Sequence, residues 1–146
     1  MKVRDVIKTK DDRIVTISPE ASTPEAVARM VENNIGSLPV VEPDGRLVGI
    51  ISERDLMREL HDRGDRFAGT MIRAVMTLDP ITCDIEDDVD AVMGQMSERR
   101  IAKIPVIDRG RLVGIVSVGD VVKLLYERTR AENDHLMHYL YGPAHA

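Results

Sequence analysis

The sequence has no tryptophan, one phenylalanine (Phe67) and three tyrosines in 146 residues. Any core must therefore be aliphatic, and eight methionines with many valines and isoleucines stand where rings would otherwise pack. Cysteine is nearly absent too. The single Cys83 excludes an internal disulfide and gives no cysteine-based zinc cluster. No apolar run approaches the roughly 18 residues a membrane helix needs, so no membrane contact is expected. The opening Met1-Lys2-Val3-Arg4-Asp5 lacks the apolar stretch of a secretory signal, and the location to expect is cytoplasmic. Positive charge is also scarce. A formal net charge of −5 argues against nucleic acid as a partner, while leaving room for a local basic patch that holds phosphate. No P-loop and no GxGxxG is present. What remains is 43% apolar and 31% charged with mixed signs, the composition of a folded globular chain long enough to bury a good core.

An internal repeat organises this material. Ile35-Gly36-Ser37-Leu38-Pro39-Val40-Val41-Glu42 recurs as Ile101-Ala102-Lys103-Ile104-Pro105-Val106-Ile107-Asp108. Arg46-Leu47-Val48-Gly49-Ile50-Ile51-Ser52 recurs as Arg111-Leu112-Val113-Gly114-Ile115-Val116-Ser117, with Asp55 matching Asp120. Over Arg46–Leu60, eight of fifteen positions are identical to the second copy.

Each copy reads as strand, helix, strand, strand, helix. Ile14–Ile17 and Ile81–Ile85 are β-branched and predict strands. Ser22-Thr23-Pro24-Glu25 starts a helix, capped either by Ser22 or by Thr23, and Asp87 or Asp88 can cap its counterpart. Apolar runs flank Pro43-Asp44-Gly45 and, one residue shorter, Arg109-Gly110, which predicts two hairpins. Helices follow over about Glu53–Leu60 and Val118–Tyr126. The fold class is α+β: two β-α-β-β-α repeats, each covering its twin's apolar face about a pseudo-two-fold axis, with a C-terminal helix. The expected division is 1–70 for the first motif with its linker, His61–Thr70 being that linker, 71–126 for the second, and 127–146 for a helical tail.

The pattern Leu38-Pro39-Val40-Val41-Glu42 leading to Gly49-Ile50-Ile51-Ser52-Glu53-Arg54-Asp55, repeated as Ile104-Pro105-Val106-Ile107-Asp108 leading to Gly114-Ile115-Val116-Ser117-Val118-Gly119-Asp120, resembles the CBS motif. Val3-Arg4-Asp5-Val6-Ile7 and Ile72-Arg73-Ala74-Val75-Met76-Thr77 look like the segments that introduce each motif. The resemblance spans about residues 3 to 126 and implies a Bateman module: two motifs joined by their sheets, with clefts that bind AMP, ADP, ATP or related adenosyl ligands, NAD or S-adenosylmethionine among them. It implies a homodimer and a non-catalytic sensor acting on a separate, unidentified protein. The competing reading is a ligand-free structural or protein-interaction dimer.

Ser52-x-x-Asp55 and Ser117-x-x-Asp120 fall where a strand ends and a helix begins. On the residues alone they are helix caps. A helix start also offers unpaired N–H groups to phosphate, and a carboxylate beside it can accept two hydrogen bonds from ribose hydroxyls. By resemblance, Asp55 and Asp120 are the ribose acids, with Ser52 and Ser117 near phosphate or ribose. Lys103, two residues before Pro105 and matching Ser37, is a phosphate candidate or a solvated lysine; Arg54 is another. Gly36 and Ala102 are small enough for a ligand to pass the backbone, or simply pack tightly. Thr16 and Thr82 lie on the strands whose backbone, by resemblance, reads adenine. Val118-Gly119 against Glu53-Arg54 makes the two clefts chemically unequal.

Enzymatic readings are poor. Cys83 has no evident histidine partner, and Asp134-His135-x-x-His138 is more plainly a surface group than a metal site. Leu136, Met137, Leu140 and Tyr141 cluster before Gly142-Pro143 and suit a helix docked on its own module or within a dimer.

Overall fold

A computed structural model describes residues 1–10 and 13–142. Six helices and six strands follow in order: α1 (Val3–Lys8), α2 (Thr23–Asn33), β1 (Ser37–Val41), β2 (Leu47–Ser52), α3 (Glu53–Arg63), a 3₁₀ segment (Gly64–Gly69), α4 (Ile72–Val75), β3 (Thr77–Leu78), β4 (Cys83–Asp84), α5 (Val89–Arg99), β5 (Lys103–Asp108), β6 (Arg111–Ser117) and α6 (Val118–Tyr141). The strands form two three-stranded sheets, β1-β2-β3 and β4-β5-β6.

Local chemistry sets these elements. Ser22 caps α2, its hydroxyl accepting from the Glu25 N–H at 3.4 Å, which decides between the two starts the sequence allows. Asp88 is the residue before α5 but gives it no side-chain cap, because its carboxylate pairs with Lys2 instead. The second hairpin turns through Arg109 and Gly110, both at positive φ, which suits a two-residue turn matched to strand twist. Two helices run further than expected. α3 continues through His61-Asp62-Arg63, so the stretch expected as linker is a helix end followed by a 3₁₀ segment. α6 runs unbroken to Tyr141, so the second repeat's closing helix and the tail are one element; Pro143 and the residues after it lie outside those described.

The expected first strands are shorter than their β-branched runs suggest. Ile17 makes only a bridge to Val40, donating to the Pro39 carbonyl and accepting from the Val41 N–H, and only Cys83–Asp84 pairs with β5. The cause is the motif proline. In a parallel ladder the residue two before Ile17 would accept from residue 39, and two before Cys83 from residue 105, but proline has no N–H to give. The ladder stops, leaving Val15 and Ile81 outside it.

Each half builds one aliphatic core. Ile17, Ala26, Met30, Leu38, Val40, Ile51 and Leu56 form the first; Cys83, Val89, Val92, Met96, Ile104, Val106, Val116 and Val121 form the second. The introducing segments are exchanged between them. Val3 and Val6 lie in the second core and Ile72 in the first. Val3 and Arg4 donate to the carbonyls of Asp87 and Ile85, as Ile72 and Arg73 do to those of Ala21 and Pro19. Arg4 pairs with Glu86 as Arg73 pairs with Glu20. The matching residues Arg46 and Arg111 face each other in an antiparallel bridge, as a two-fold between the repeats requires.

Candidate functional site

Both helix-start pairs form the same reciprocal cap. The Ser117 N–H donates to Asp120 Oδ2 at 2.9 Å, and the Asp120 N–H donates to Ser117 Oγ at 3.0 Å. In the first repeat the corresponding bonds are 2.9 and 3.2 Å, with the Ser52 hydroxyl also donating to Asp55 Oδ2 at 2.9 Å. Capping is therefore what these residues do locally in both copies. It leaves a carboxylate held rigidly beside the positive end of a helix dipole.

The surroundings separate the copies. A cavity of about 380 Å³ opens between the two repeats and is lined by Ser37 and Lys103 from the facing strands and by Ser117 and Asp120 from the start of α6. Its walls are apolar, with Pro39, Ile50, Pro105 and Ile115 among them. Val15 lines it as well, in the stretch that the missing proline N–H keeps out of the sheet. Two cations come from the segment between α1 and α2: Lys10 and Arg13.

Lys10 is bound in place. Its ammonium donates to Asp120 Oδ2 and to the Ile115 carbonyl, both at 2.7 Å, and the two side chains are only 20% and 24% exposed. Burial pushes the Asp120 carboxyl up, but the hydrogen bonds from Lys10 and Ser117 and the charge of Lys10 together outweigh it and hold the pKa below the ordinary carboxylate value. Lys10 lies outside the stretches that recur in the two copies and was not singled out from sequence. It reaches Asp120 because α1 packs on the second half, where Ile7 closes over Gly114: a Cβ there would stand 2.7 Å from Ile7 Cδ1.

The remaining predicted residues lie elsewhere. Asp55, Thr16, Thr82 and Ala102 do not line this cavity. Gly36, Ser52 and Arg54 share a shallow depression with Glu53, Met57, Arg58 and His61. The Gly36 carbonyl accepts from the Glu53 N–H and the Ala102 carbonyl from the Val118 N–H, both at 3.0 Å, tying each strand entrance to the following helix. The Thr16 carbonyl accepts from Arg29.

Little else suggests reactive chemistry. Burial, reinforced by Asp87 and Asp84, raises the Cys83 thiol to about 11, which keeps it protonated at neutral pH. Among the described residues, no group of three His, Cys, Asp or Glu side chains is placed to hold a metal ion, and no helix is long and apolar enough to cross a membrane.

Comparison with known proteins agrees with this architecture. The model of the CBS domain matches residues 3–62 and again 72–127. The chain is 34% identical to the Arabidopsis thaliana CBS domain-containing protein CBSX3, mitochondrial, over 96% of this chain and 72% of that protein. Among solved structures it is similar to the CBS domain pair of protein MJ0100 in complex with 5′-methylthioadenosine and S-adenosyl-L-methionine (31% identity, TM-score 0.69, 88% of this chain and 98% of that one). It is likewise similar to CBSX2 in complex with AMP (26% identity, TM-score 0.75, 88% and 98%).

Proposed function

The chain belongs to the CBS domain family, and from that premise we propose that the cavity between its repeats takes an adenosyl ligand and that the module is a non-catalytic sensor acting on a separate protein. The observation that carries the reading is the placement of Asp120. A carboxylate locked at a helix start faces a cavity large enough for a nucleoside, between apolar walls that suit a base. Asp120 accepts the ribose hydroxyls, and Ser37, Lys103 and the start of α6 offer polar groups to the rest of the ligand. That two related CBS structures hold AMP, S-adenosyl-L-methionine and 5′-methylthioadenosine supports the choice of ligand class.

Regulation follows if the ligand binds one arrangement of the halves better than another, since only differential affinity shifts an equilibrium. Both halves line the cavity, so a change in their angle alters it directly. Pairing of two copies would carry such a change to a partner.

Thermal melting with AMP, ADP, ATP, NAD and S-adenosylmethionine tests the reading. A ligand at 100 times its dissociation constant stabilises the fold by about 2.7 kcal/mol, so at least one compound is expected to raise the melting temperature by several degrees. If none does, the ligand-free interaction module is the better account.

A further inference from the structure

We propose that Lys10 is an exchangeable counter-ion that makes this cavity select phosphate-bearing nucleotides over uncharged or sulfonium-bearing adenosyl compounds. The inference rests on reading the cavity as an adenosyl site and adds a criterion for which ligand it accepts.

A sugar that takes Asp120 must compete with an ammonium already on the same oxygen at 2.7 Å. Once displaced, that ammonium is mostly shielded from water and, among the described residues, keeps the neutral Ile115 carbonyl as its acceptor. Among the described residues lining the cavity, the other charged groups are Arg13 and Lys103, both cations. No described lining side chain can therefore replace the lost carboxylate, and a charge left unpaired at a poorly hydrated place is costly. With none among the described lining groups, a ligand that brings the negative charge is favoured. A nucleotide does so: its hydroxyls replace Lys10 on Asp120 while its phosphate receives the ammonium. A methylthio group supplies no charge to receive it, and a sulfonium adds a like charge to a cavity already rich in cations.

Isothermal calorimetry with AMP, adenosine and S-adenosylmethionine on the full chain, on Lys10→Met and on Lys10→Arg tests this. AMP and adenosine share base and sugar, so their ratio isolates the phosphate. The unmodified chain is expected to favour AMP over adenosine by about tenfold or more, the scale of one charge-assisted hydrogen bond. In Lys10→Met that preference should fall by about tenfold, with adenosine binding unchanged or tighter because Asp120 no longer has to be freed; Lys10→Arg should keep most of the preference. The inference is overturned if Lys10→Met leaves the ratio intact, or if the unmodified chain binds S-adenosylmethionine more tightly than AMP. Failure of all three compounds to bind the unmodified chain would instead remove the adenosyl site, and this inference with it.

Discussion

The starts of α3 and α6 carry the same four-residue chemistry and nearly the same hydrogen bonds, yet their acids stand in different company. Asp120 lines a cavity and shares a proton-rich neighbour, Lys10. Asp55 does not line that cavity. On the Asp120 side the neighbouring cations come from the exchanged segment, as Lys10 and Arg13 show. Counting three residues on from Ile7 and Met76, which cover Gly114 and Gly49, reaches Lys10 in one copy and Asp79 in the other. Two residues before the matching Val15 and Ile81 stand Arg13 and, again, Asp79. A cap is set by four adjacent residues, whereas the charge beside it is supplied by a stretch of chain that arrives from the opposite repeat. The two copies share the first and differ in the second.

The widest separation is expected in ligand affinity. Asp120→Asn should weaken nucleotide binding by roughly 10- to 100-fold, as loss of a charged hydrogen-bond acceptor does, while Asp55→Asn should change it by less than about twofold. Calorimetry decides; equal losses would show that both acids hold ligand and erase the contrast.

A smaller difference is expected in stability at the two covering glycines. An added Cβ at Gly49 would meet Met76 Sδ at 2.7 Å and the Thr77 carbonyl oxygen at 2.9 Å, whereas at Gly114 the obstacle is Ile7, whose Cδ1 tip can rotate away. Gly49→Ala should therefore cost about 1–3 kcal/mol and Gly114→Ala less, read from urea melts. A reversed order would mean that the Ile7 side is the more rigid of the two.

The smallest expected effect concerns pH. The folded pKa of Asp120 is depressed, so its contribution to stability is present above the unfolded value of about 3.9 and disappears as pH falls through the folded one. The stability difference between the unmodified chain and Lys10→Met should be at most about 1 kcal/mol at neutral pH and should shrink below about pH 4. A difference that persists at low pH would assign Lys10's contribution to packing rather than to the ion pair.

Much of the scaffold was legible because it is written locally. The hairpins, the Ser22 start and both Ser-x-x-Asp caps depend on residues within a few positions of each other. The end of α3 was less so, since His61-Asp62-Arg63 carries no apolar stripe to announce a helix, and although the tail was expected to be helical, its continuity with α6 was not. The truncated first strands were hidden by a long-range partner, since Val15 and Ile81 look like strand residues until Pro39 and Pro105 are set beside them. At the candidate site, Ser37, Lys103, Ser117 and Asp120 line one cavity, but the sequence reading did not say which of the candidates would share a cleft. Lys10 and Arg13 were invisible, for nothing near them in the chain says which half they will join.

The crossing of the introducing segments also governs how the chain can reach its final form. Val3 and Val6 close a core that extends as far as Val121, so they have no place to dock until the distant second half of the fold has formed. Closure over such separations is slow and tends to be all-or-none. A nick within Gly64–Gly69 would accordingly yield two pieces that each hold the stopper for the other's core, inert when separate and competent to reassemble when mixed.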